Sequence, residues 1–253
     1  MKAIYTAMAS VRQIEIARSQ SANQLANVST VAFKQSYQHA TDSVKIAGAG
    51  FATSYQPIAV SKDVISLAAG PMQATGRKLD VYMVGATVLG VQASNGQMAF
   101  TRRGDLNVNE LGQLTIGTGD LVMGDGGSPI SVPLGQTLEI SSDGAVLAFD
   151  PNAPEAPASE VARLLLRDAS ATSLVRRLDG LFEPAGQVNV GGDFDGGAVP
   201  AELVSGAIEG SAVNVAEMLV KTMENNRSFE ARIRLVKEFK DLDQAGTSMI
   251  RMA

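Results

Sequence analysis

The sequence predicts an α+β chain in which long N- and C-terminal helices pack as a coiled-coil-like pair beside a β-rich, mostly antiparallel central body. Three observations carry that expectation. Apolar residues recur at intervals of three and four over the first 30 or so positions, they do so again from about 213 to 249, and between these stretches the chain breaks into short β-type runs separated by turn dipeptides.

The first helix is read from Ile4, Met8, Val11, Ile14, Ser21, Leu25 and Val28, a stretch without Gly or Pro. It is expected to stop near Asn27-Val28-Ser29-Thr30, because Asn tolerates the left-handed conformation of a helix C-terminus and the β-branched residues beyond it favour extended chain. Residues 1–35 form the N-terminal element on this reading. Residues 36–69, with Gly48-Ala49-Gly50 and Pro57, form a linker with a little extended structure.

The body is placed at 70–205. Asn95-Gly96, Asp125-Gly126 and Asp143-Gly144 supply turns, and Leu114-Thr115-Ile116, Leu138-Glu139-Ile140 and Ala145-Val146-Leu147 read as strands. The proline-bearing stretch from Asp150 to Ser159 reads as a surface loop, and Val161 to Leu166 as either helix or strand. The C-terminal element, 206–253, carries a near-heptad stripe of Val215, Leu219, Thr222, Phe229, Ile233 and Val236, with mixed charges on the remaining positions.

Each large apolar stripe residue contributes about 1.5–3 kcal/mol when fully buried, so two wet stripes would forfeit more than a domain can spare. Either the helices pack on the sheet of their own domain as α+β layers, or neighbouring subunits cover them. Periodicity alone leaves both readings open.

Composition excludes several functions. The 253 residues carry a net charge of −5 and no basic block, so neither nucleic acid nor an anionic membrane surface is an expected partner. With no cysteine and a single histidine, His39, thiolate chemistry and multi-His or Cys metal sites are out. Arg12, Glu15 and Arg18 interrupt the N-terminus before a Sec signal core can form, and Val81 to Val91 is too short to span a bilayer.

At the N-terminus Ile4-Tyr5-Thr6-Ala7-Met8, Ala22-Asn23-Gln24-Leu25-Ala26-Asn27, Ser29-Thr30 and Phe33-Lys34 occur in order. The body adds Thr75-Gly76, Leu79-Asp80-Val81, Phe100-Thr101-Arg102-Arg103-Gly104, Leu111-Gly112-Gln113-Leu114, Ser142-Asp143-Gly144 and Asp179-Gly180-Leu181-Phe182. Gly206-Ala207-Ile208-Glu209-Gly210-Ser211-Ala212-Val213-Asn214-Val215 and Arg227-Ser228-Phe229-Glu230 follow near the C-terminus. Together these resemble the collinear motifs of the flagellar rod and hook proteins, SNNLAN-x-x-T-x-GF at one end and GxLExSNVN with RxFE at the other. Ala32 stands where the family has Gly before Phe33, and Ala86-Thr87 where it has Asp-Gly. Ala accepts positive φ poorly, which puts the backbone bend at 32 in question.

The resemblance implies a structural subunit of the bacterial flagellar basal-body rod, more similar to proximal than to distal rod proteins. It further implies export by the flagellar type III apparatus, a periplasmic destination, and assembly with copies of itself and neighbouring rod proteins around an export channel. It implies no enzyme activity and no cofactor. The residues expected at subunit interfaces are Tyr5, Met8, Val11, Leu25, Asn27 and Phe33 on the N-terminal side. On the C-terminal side they are Asn214, Val215, Leu219, Phe229, Ile233 and Val236. Asn27 and Asn214 are also read as helix-end residues.

The catalytic alternatives are weak. His39 reads as a solvated polar residue in the linker, and Gly117-Thr118-Gly119 as a hairpin turn and not a dinucleotide loop. The Gly191–Gly197 run lacks the later carboxylates of a calcium loop and reads as a flexible turn, and Arg102-Arg103 as an exposed, salt-bridging pair. A secreted β-rich binding module, the rival class, would need aromatic platforms; the chain has no Trp and four Tyr.

Overall fold

The computed structural model describes residues 2–37, 43–45, 55–57, 64–151, 153, 155, 157–185 and 191–252; His39 lies outside them. The chain divides into two compact units: residues 1–29 with 213–253, and residues 30–212.

In the larger unit the central element is the strand Thr87–Gln92, buried from Thr87 to Val91. Because successive side chains point to opposite faces, Leu89 and Val91 enter one apolar core with Leu106, Leu114, Val122 and Ile140. Val88 enters a second core with Ile65, Phe100, Leu174, Phe182 and Phe194. The strand has both faces covered, and Gly90 leaves room for this: a Cβ there would come within 2.4 Å of Leu165 Cδ2. Thr87–Gln92 pairs antiparallel with Met98–Thr101 through a turn at Asn95-Gly96, where Gly96 takes φ 79°. The resulting ten-stranded sheet runs from Ser36–Tyr37 at one edge to Leu106–Val108 at the other.

A three-stranded meander of Thr137–Ile140, Ala145–Phe149 and Ser159–Arg163 closes over the first core, and the open reading at 161–166 resolves as extended chain: strand to Arg163, a bridge at Leu164 and a new strand from Leu166. Three short ladders complete the described part of the unit: Val81–Met83 with Leu203–Ser205, Met72–Ala74 with Ala207–Glu209, and Ser43–Lys45 with Tyr55–Pro57. Gly117-Thr118-Gly119 forms the turn between Leu114–Ile116 and Leu121–Val122.

The other unit holds two helices, α1 (Lys2–Ala26) and α2 (Val215–Met252). The expected fold class is corrected by what they and the body show. The molecule is β-rich with antiparallel sheets, and no coiled-coil-like pairing of apolar heptad seams is seen among the described residues. Val215 and Leu219, two residues of the expected seam, are 45% and 49% exposed, while the buried positions of α1 include Ser21 and Gln24. A three-and-four period locates a helix; it does not fix which face is covered, nor require that the covered face be apolar.

Two further expectations change. Arg102 is not an exposed ion-pairing residue: it is fully buried, its Nε donating to Glu209 Oε2 at 2.7 Å, a partner 107 positions away that no local spacing reveals. Arg103 beside it is partly buried and pairs with Asp105 at 2.7 Å. The Gly191–Gly197 run is a built segment. Phe194 stacks edge-on against Phe100 with ring centroids 4.7 Å apart, and Gly197 passes so close to the Asp168 carboxylate that a Cβ would lie 2.2 Å from its Oδ2. The cleft beside this segment, about 390 Å³, is lined by Arg167, Asp168 and Asp193. Arg167 pairs there with Asp193 at 2.7 Å, and Asp168 accepts hydrogen bonds from Ser170 and Val199. Hydrogen bonding to Ser170 holds the Asp168 carboxyl below its ordinary value. No group of three or more metal-ligating side chains occurs among the described residues.

Candidate assembly surface

α2 begins where Asn214 can cap it. Its Oδ1 accepts the main-chain N–H groups of Ala216 and Glu217 at 3.0 and 3.3 Å, and its carbonyl accepts the first helical bond from Met218. Glu217 in the first turn complements the positive end of the helix dipole.

The covered side of α2 starts at buried Met218 and continues through partly buried Thr222, Asn225, Phe229, Ile233 and Val236. On α1 the covered positions are Val11, Ile14, Ala17, Arg18, Ser21, Gln24 and Leu25. Two contacts between these faces involve polar groups. Asn225 Nδ2 donates to Ser21 Oγ at 3.1 Å, Ser21 Oγ in turn donates to the Ala17 carbonyl, and the Arg18 guanidinium sits 4.6 Å from the Phe229 ring centroid. Asn27 closes α1 with its main-chain and side-chain nitrogens both donating to the Asn23 carbonyl.

Each helical residue advances roughly 100° around the axis. Leu219, Met223 and Val220 therefore fall on an arc turned away from the Met218–Phe229 side. They are 49%, 56% and 57% exposed, and with Val215 they make an apolar surface on the first three turns of α2.

The twelve expected interface residues distribute as follows. Tyr5 and Met8 stand on α1 with side chains outside the described residues. Val11, Leu25 and Asn27 are partly buried in the helical unit, as are Phe229, Ile233 and Val236. Asn214, Val215 and Leu219 are exposed. Phe33 belongs to the body, where it is buried under the Arg176 guanidinium, 4.3 Å from the ring centroid. Sequence reasoning missed Met218 and the Ser21–Asn225 contact. Polar residues at the covered positions interrupt the apolar period, and Val220 and Met223 fall outside the stripe it picks out.

Two family models match the chain: one described as flagellar basal body rod FlgEFG protein C-terminal, over residues 204–249, and one described as flagellar hook protein FlgE/F/G D1 domain, over 83–148. Flagellar basal-body rod protein FlgF of Salmonella typhimurium is 32% identical over 256 residues, covering 99% of each chain. FlgF of Escherichia coli is 31% identical over 255 residues with the same coverage. Flagellar basal-body rod protein FlgG of Bacillus subtilis is 25% identical, covering 93% of this chain and 94% of its own. Similarity of this extent, end to end, places the chain in a family: it belongs to the flagellar basal-body rod proteins, alongside FlgF.

Proposed function

We propose that this chain is a structural subunit of the proximal part of the flagellar basal-body rod. It assembles with copies of itself and with neighbouring rod proteins, FlgG among them, into a helical shaft that transmits torque and encloses an export channel. The observation that carries the reading is the 32% identity to FlgF over 99% of both chains. The lower identity to FlgG makes the distal rod the weaker assignment. On this reading the chain is no enzyme, reaches the periplasmic rod through the flagellar type III apparatus, and uses segments 1–35 and 206–253 for assembly, with 36–69 joining them to the body at 70–205.

The apolar arc of Leu219, Val220 and Met223 is the part of α2 that a neighbouring subunit would cover, as heterologous contacts that do not close generate helical filaments. Leu219→Asp tests this. The residue is half exposed, so the isolated chain keeps its helical circular dichroism, whereas the charge opposes burial against a neighbour. Basal bodies from cells carrying only this variant are expected to lack the subunit, and the cells not to swim. Swimming at the wild-type rate would sink the assignment of this surface.

A further inference from the structure

Three motifs far apart in the chain meet inside the body. Lys34 follows Phe33, Arg102 lies in Phe100–Gly104, and Glu209 lies in Gly206–Val215, and all three side chains are fully buried. Lys34 Nζ donates to Glu209 Oε1 and to the Ala68 carbonyl, both at 2.6 Å. Gly70 N–H donates to the same Oε1 at 2.6 Å. Arg102 reaches Glu209 Oε2 through Nε and spends its other nitrogens on the carbonyls of Gly85, Thr87 and Met83 at 2.6 to 3.0 Å. Main-chain bonds surround the cluster: Ala32 N–H to Glu209 O, Ala212 N–H to Phe33 O, and Gly210 N–H to Pro71 O, at 2.8, 2.9 and 2.8 Å. The packing leaves no slack, since a Cβ on Gly70 would sit 2.3 Å from the Gly210 carbonyl oxygen.

The charges do not balance. Two cations share one carboxylate, and Glu209 is the only acidic partner of either among the described residues. Glu209 also touches all three stretches of chain: 32–34 through Lys34 and the Ala32 amide, 68–70 through Gly70, and its own strand Ala207–Glu209. Removing its charge strands two buried cations against each other and weakens the carboxylate's ties to Lys34, Gly70 and Arg102 together, leaving the main-chain bond from Ala32 without the packing that backs it.

We propose that Glu209 is the release point of a clasp. The cluster holds the stretch entering the body at 32–35, the stretch at 68–72 and the stretch leaving at 207–212 as one cooperative unit. Neutralising Glu209 opens that unit locally while the two apolar cores stay folded.

Hydrogen exchange on the purified full chain tests this with Glu209→Gln. The amides of Ala32, Gly70, Gly210 and Ala212 are expected to exchange together and at least tenfold faster than in the wild type. Those of Leu114 and Ile130, bonded within the first core, stay unchanged. Unaltered protection at the four amides overturns the proposal, as does equal acceleration at all six, which would mark a general loss of stability. Lys34→Met removes one cation and leaves Arg102 and Glu209 balanced, so it is expected to keep the four amides within threefold of wild type. If it frees them as fully as Glu209→Gln, charge is not what holds the clasp. Should Glu209→Gln fold too poorly to measure, Glu209→Asp keeps the charge but draws it back by one methylene. Acceleration of at least threefold at the four amides alone supports the clasp, and uniform acceleration or none rejects it.

Discussion

Ala32 takes φ 52°, the left-handed region that costs a residue with a Cβ roughly 1–2 kcal/mol, and its amide is held by the Glu209 carbonyl at 2.8 Å. The bend survives the loss of glycine because the surrounding contacts over-determine it. Ala32→Gly relieves the strain but gives up a buried methyl and loosens the unfolded chain, terms of similar size, so its unfolding midpoint is expected to lie within about 0.5 kcal/mol of wild type. Ala32→Val places a β-branched residue at positive φ in a buried position and is expected to cost about 2 kcal/mol or more by urea unfolding. Lys34 makes a second prediction at this scale. Burial, reinforced by Arg102 and opposed by Glu209, pushes its pKa down to about 8 from 10.5. Between those values the unfolded chain binds the extra proton, so stability rises with pH through that window. Its main-chain carbonyl accepts from Arg176. Urea midpoints taken at about pH 7.5 and about pH 10 should rise for the wild type relative to Lys34→Met, which lacks the titrating group.

At the scale of elements, α2 rests on a cap of local origin. Asn214→Ala removes the acceptor for two amides and is expected to destabilise the helix by about 1 kcal/mol, read as faster exchange over its first turn. That cap was legible in the sequence, as were both helices, the antiparallel strands around Leu114–Ile116 and Ala145–Phe149, and the turns at Asn95-Gly96 and Asp143-Gly144, because each is specified by residues within a few positions of one another. What α1 and α2 cover was not. Gln24 and Asn225 occupy covered positions that the periodic set skips, and Leu219 lies in that set yet stays exposed. The ion cluster was equally hidden: Glu209 is 175 positions from Lys34 and 107 from Arg102, and nothing near any of them announces the meeting.

For the whole molecule, the proposed function rests on surfaces. The body is held by two cores that share the strand Thr87–Gln92, and the exposed apolar residues of α2 lie in the other unit. A charge on the arc is therefore expected to abolish incorporation at little cost to the monomer, whereas Gly104→Ala, whose Cβ would lie 1.8 Å from the Val81 carbonyl oxygen, is expected to unfold the body itself. Soluble yield and circular dichroism separate the two outcomes. The ladder between Met72–Ala74 and Ala207–Glu209, extended by the amides of Thr75 and Gly76 on Gly206 O, has a further consequence. It makes a hairpin stem of two strands whose loop is most of the protein. Closing a loop costs only about 0.6 kcal/mol more for each doubling of its length, so material can be added to or trimmed from the far side of the body while the stem keeps its spacing. One stem geometry can thus carry bodies of quite different size.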